Sequence, residues 1–95
     1  MPSNYRVIVL RSFEREVRRL RQRVPRSYEN FLEAVKLLEC DPYNLQHHAD
    51  IKKLTNIAAG EGQFRLRIGD YRLRYDIHGD DVILHSMRPR SKSYD

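Results

Sequence analysis

Arginine occupies alternate positions in two short runs, Phe64-Arg65-Leu66-Arg67-Ile68 and Tyr71-Arg72-Leu73-Arg74-Tyr75. Alternation with apolar residues is the period of a β-strand, which sends successive side chains to opposite faces. Gly69-Asp70 leaves room only for a tight turn, so the two strands are expected to pair antiparallel. With the apolar set turned to a core, Arg65, Arg67, Arg72 and Arg74 lie together on the other face. Arg88, Arg90 and Lys92 follow the last strand and reach the same surface, with Tyr94 beside them. Guanidinium grips phosphate as a planar fork and stacks on bases, whereas ammonium acts as a point charge. Crowding six guanidiniums is unfavourable unless an anion visits. An RNA backbone supplies one, and the tyrosine could stack on a base. The same alternation also describes the solvated face of any half-exposed sheet.

Other chemistries find little support. His47 and His48 are neighbours beside Asp50, so their side chains point apart, and no third metal ligand is evident. His85, on the last strand, reads as a structural or surface residue. There is no Ser-His-Asp arrangement and no glycine-rich phosphate loop. Cys40 sits among helix formers without a cysteine or histidine at metal spacing and reads as inert. No metal or cofactor is expected.

The elements that must hold the arginines are legible from periodicity. Tyr5 to Leu10 is rich in β-branched residues and predicts a first strand. Phe13, Val17, Leu20 and Val24 mark one face of a helix over roughly 12–24, with Ser12 as its N-cap and Pro25 as its end. On that helix Arg15, Arg19 and Arg23 are expected on the exterior, far from the sheet arginines. Tyr28, Phe31, Leu32, Val35 and Leu38 mark a second helix over about 27–40, closed by Asp41-Pro42. Residues 43–62 show no clean period and read as a loop in which only 51–54 looks packed. Strands are predicted at 63–68, 70–77 and 81–87, with His78-Gly79-Asp80 as a hairpin turn. The expected fold is α+β: residues 1–95 as one domain, two N-terminal helices packed on a twisted antiparallel sheet that the first strand joins.

Composition narrows the partners. The chain has 95 residues, 18 Lys and Arg against 13 Asp and Glu, and a net charge of +5. The charge is uneven: residues 1–26 carry eight basic and two acidic groups, 27–50 one and five, and 51–95 nine and six. A basic chain suggests nucleic acid or an acidic protein as partner. No apolar run approaches the ~20 residues a membrane span needs, no signal-peptide core opens the chain, and one cysteine fits a reducing compartment. No membrane partner and a cytoplasmic location are expected.

Lys53-Leu54, followed by the run from Phe64 through Gly69-Asp70-Tyr71 to Tyr75, resembles the signature of the RelE/ParE toxin superfamily. Leu37-Leu38-Glu39-Cys40-Asp41-Pro42 is similar to that family's second-helix ending. The tail Arg88-Pro89-Arg90-Ser91-Lys92-Ser93-Tyr94 resembles the RelE side, where arginines precede a near-terminal tyrosine. The resemblance implies a RelE-like microbial RNase fold and a type II toxin–antitoxin toxin that cleaves mRNA in the ribosomal A site. It implies a cognate antitoxin and a toxin–antitoxin hetero-oligomer. Carried over by position, Arg65, Arg67, Arg72, Arg90 and Tyr94 are the catalytic candidates, and Lys53, Arg74, Arg88 and Lys92 the RNA-binding ones. Cleavage would proceed without metal, by attack of the ribose 2′-OH on the adjacent phosphate. Arginine stands at 65 and 67 where some relatives have lysine, which keeps the charge and removes a proton donor. A ParE-like chain would instead bind and poison DNA gyrase, and would not need the Arg/Tyr tail.

Overall fold

The computed structural model describes residues 4–89. The elements run β1 (Arg6–Val9), α1 (Arg11–Arg23), α2 (Pro25–Cys40), β2 (Ile51–Lys53), β3 (Phe64–Ile68), β4 (Tyr71–His78) and β5 (Asp81–Pro89). The five strands form one sheet in the order β1-β5-β4-β3-β2. Both helices pack on one of its faces. Phe13, Phe31, Ala34 and Leu38 from the helices meet Phe64, Leu66, Leu73, Tyr75, Val82, Leu84 and Met87 from the sheet in one buried cluster.

The α+β expectation holds, with differences that have physical causes. β2–β3, β3–β4 and β4–β5 pair antiparallel, but β1 pairs parallel with β5, so the sheet is mixed. β1 takes a strand edge that the chain builds only at its C-terminal end. Ser12 does not cap α1. The cap is Leu10, one residue after β1, and its carbonyl takes the N–H groups of Phe13 and Glu14. Pro25 does not simply end α1 but opens α2. Val24 closes one helix through its N–H to Leu20 and starts the next through its carbonyl to Tyr28. A proline costs nothing at the first helical position, where its missing N–H would have had no partner. The apolar stripes are right in the middle and overlong at the edges: Phe13, Phe31 and Leu38 are buried, while Val24 and Leu32 are exposed.

The aperiodic stretch 41–63 is organised by side chains that mimic backbone partners. Asp41 accepts the N–H groups of Leu45 and Gln46, and Asn44 clasps both the N–H and the carbonyl of Ala49. Tyr75 is fully buried, stacks on Phe64 with ring centroids 5.4 Å apart, and donates its hydroxyl to the Pro42 carbonyl at 2.7 Å. Burial pushes the Tyr75 phenol above its ordinary value and the nearby Asp41 charge adds to this, so it stays a donor and ties the loop to the sheet.

Candidate functional site

Register decides which side chains share the sheet face that the helices leave uncovered. Leu66 pairs with Leu73 and Leu73 with Met87, all toward the core. The residues between them therefore point the other way. Arg67 pairs with Arg72 and Arg72 with Arg88, giving a row of three arginines across β3, β4 and β5. One step along the strands, Lys52, Arg65, Arg74 and Ser86 form a second row across β2 to β5. Directly opposed residues have Cβ atoms about 4.5–5.5 Å apart, so an anion over the first row could reach three guanidiniums.

The two rows differ in how far their side chains are committed. Arg67 and Arg88 are exposed and Arg72 is half-buried. Arg65 is only 5% exposed, and its guanidinium lies 3.4 Å from Asp50 Oδ1. Asp50 Oδ2 also stands 3.6 Å from Arg67 Nε, so one carboxylate spans both arginines of β3. Arg74 donates to the carbonyls of Gly62 and Glu61 at 2.7–3.0 Å. The four strand arginines share one face as expected, but the alternative reading of a simply solvated face does not hold for Arg65. Arg65 is enclosed beside Asp50, and Arg74 is half-buried and tied to the 57–63 segment, which folds back over the sheet.

That fold-back depends on Gly62. Its φ is +81°, and a Cβ there would stand 3.2 Å from the Arg74 Cβ and 3.3 Å from its Nε. A side chain there would need Arg74 to give way by a few tenths of an ångström, and the backbone lies in the region that favours glycine. The same turn docks on Asp76, which is 5% exposed. Asp76 accepts the Gly62 N–H at 2.8 Å, the Gln63 N–H at 3.0 Å and His85 Nε2 at 2.6 Å. Burial alone would raise the Asp76 carboxyl. The N–H groups of Gln63 and Gly62, the His85 charge and the Gly60 N–H outweigh it, and the net shift is downward.

Other residues expected at the site lie in several places. Lys53 pairs with Phe64 rather than with an arginine, and its ammonium lies 5.8 Å from the Phe64 ring centroid, on the other side of β2 from Lys52. Lys52, not singled out by the sequence, is the lysine that shares the arginine face. Arg90, Lys92 and Tyr94 lie outside the described residues. Arg19 and Arg23 are not remote: with Glu16, Leu20, Val24, Tyr71, Met87, Arg88 and Pro89 they line a groove of about 500 Å³. The helix exterior that seemed far away reaches the end of the β4–β5 pair and meets Arg88 there. His85 was missed as a site residue. It follows the core residue Leu84, so alternation already turns it onto the arginine face, and the register shift beside it, between Arg74 and Tyr75, lets Ser86 share that face while Met87 returns to the core. Among the described residues no group of three or more His, Cys, Asp and Glu is placed to hold a metal ion.

Two helices on one face of a five-stranded sheet is a fold similar to that of solved toxin–antitoxin complexes. The archaeal RelE–RelB complex from Pyrococcus horikoshii OT3 matches with a TM-score of 0.71 and 26% identity, over 95% of this chain and 99% of that one. The RelB–RelE antitoxin–toxin complex from Methanococcus jannaschii matches with a TM-score of 0.61 and 22% identity, over 88% and 91%. No curated protein sequence matches. The model of one family, described as the ParE toxin of type II toxin–antitoxin system, parDE, matches residues 7–94. The chain belongs to this family, and so is a type II toxin of the RelE/ParE superfamily.

Proposed function

We propose that this toxin is an mRNA endoribonuclease of the RelE kind, acting in the cytoplasm on A-site mRNA and neutralised by a cognate antitoxin in a hetero-oligomer. The observation that carries the reading is the cross-strand row Arg67–Arg72–Arg88 on the face free of helices. In-line attack of a 2′-OH on phosphorus builds negative charge on the phosphoryl oxygens, and preorganised guanidiniums stabilise it. Arg67, Arg72 and Arg88 take that role. Arg65, held by Asp50, sets the position of the row from beneath, and Arg74 fixes the adjacent turn. Arg90 and Tyr94 complete the set from the tail, the tyrosine orienting or stacking on the nucleotide, with Lys52 and Lys92 contributing phosphate contacts. The ribosome supplies substrate alignment that so small a site lacks.

The name of the matching family favours a second reading, in which the chain binds and poisons DNA gyrase. Purified toxin tested on ribosomes programmed with mRNA, and in parallel on gyrase supercoiling, separates the two. Mapped mRNA 5′ ends in the A site, with supercoiling intact, are expected. Inhibited supercoiling with uncut mRNA overturns the proposal.

A further inference from the structure

Resting on the ribonuclease reading, we infer that His85, oriented by Asp76, is the general base that takes the 2′-OH proton. The imidazole lies on the face that carries both arginine rows, with Nε2 2.6 Å from Asp76 Oδ2. Asp76 cannot turn away, because the N–H groups of Gly62 and Gln63 hold its two oxygens. A carboxylate accepts only, so His85 presents Nε2–H to it and keeps Nδ1 as the proton acceptor. This is the geometry of a base fixed by an orienting acid. The His85 side chain remains 24% exposed, so solvent and substrate can reach it. Arg88 lies three residues further along β5, about 10 Å of strand. An arginine side chain and a ribose-phosphate unit together span that gap. The neighbouring strand β4 presents Asp76 and Arg74 on this face, and Arg65 lies on β3 beyond it.

The step balances within the site. The 2′-OH proton passes to His85 Nδ1 as the 2′-oxygen bonds to phosphorus. The P–O5′ bond breaks, leaving a 2′,3′-cyclic phosphate. The 5′-oxygen takes a proton from water, and the imidazolium returns its own to the hydroxide so formed.

The test is single-turnover cleavage on programmed ribosomes across pH 5–9 for the parent and His85→Gln. Glutamine still donates to Asp76 but cannot take a proton, so a merely structural histidine would be replaced without kinetic effect. A general base contributes about 10²–10⁴-fold. The expected result is a loss of at least ~10²-fold with an unchanged thermal midpoint, and disappearance of the acidic limb seen in the parent. A variant within threefold of the parent, with the same profile, overturns the assignment and leaves the ribonuclease reading standing. A parent that cleaves without any acidic limb overturns it too, even if the variant does not fold. A parent that cuts no mRNA on ribosomes overturns both.

Discussion

Asp76→Asn isolates a buried carboxylate that holds several donors at once. The parent carboxylate is 5% exposed and accepts from Gly62 and His85 on Oδ2 and from Gln63 on Oδ1. An amide keeps only one acceptor. If its oxygen faces Gly62 and His85, its NH₂ confronts the Gln63 N–H. If it is flipped, two donors lose their partner. Each hydrogen bond to a charged group contributes about 1.5–3 kcal/mol, and each buried orphan costs about 1–3 kcal/mol. One lost bond and one orphan, partly relaxed, give a destabilisation of about 2–4 kcal/mol. For a domain of this size each kcal/mol moves the thermal midpoint by about 4–8 °C, so a fall of roughly 10–25 °C is expected. Far-UV circular dichroism melts of purified toxin, with urea titrations at matched m-value, measure it. A midpoint within ~3 °C of the parent would refute the reasoning, because it would mean that the 60–63 turn is not anchored through this carboxylate.

The lowered Asp76 carboxyl makes stability fall with acid. Its contribution is complete above the unfolded value of ~3.9 and vanishes as pH drops through the lower folded value; urea midpoints that stay flat below pH 4 in the parent would contradict this. Arg67→Ala and Arg88→Ala should each slow mRNA cleavage by about 10²–10³-fold with little change in folding, whereas Arg15→Ala should match the parent. Equal rates for all three variants would remove the arginine row from the mechanism. Tyr75→Phe leaves the Pro42 carbonyl without its 2.7 Å partner and should cost about 1–3 kcal/mol by denaturant titration. Gly62→Ala must hold a Cβ at φ +81° and should cost about 1–3 kcal/mol, read as a lower melting midpoint. A neutral result there would show that Arg74 yields freely.

Local period was enough to define much of the architecture before any contact was known. The two arginine runs alternate, so β3 and β4 and their shared face were legible, and the Gly69-Asp70 turn made their antiparallel pairing almost unavoidable. The stripes around Phe13 and Phe31 likewise implied two helices, because a 3.6-residue repeat has one apolar side wherever it packs. Features that needed a distant partner were settled only by tertiary packing. β1 lies parallel to β5 because the free edge it pairs with is made more than 70 residues later. Arg65 and Arg67 look alike in the sequence, yet one is enclosed and the other exposed, since Asp50 and a folded-back turn cover only part of the face. The groove that joins Arg19 and Arg23 to Arg88 exists only where a helix end meets a strand end. His85 and Asp76 show no sequence relation at all. Alternation from Leu84 gives the face of His85, but only the packed sheet sets it 2.6 Å from a buried carboxylate, and period two does not report the bulge that returns Met87 to the core.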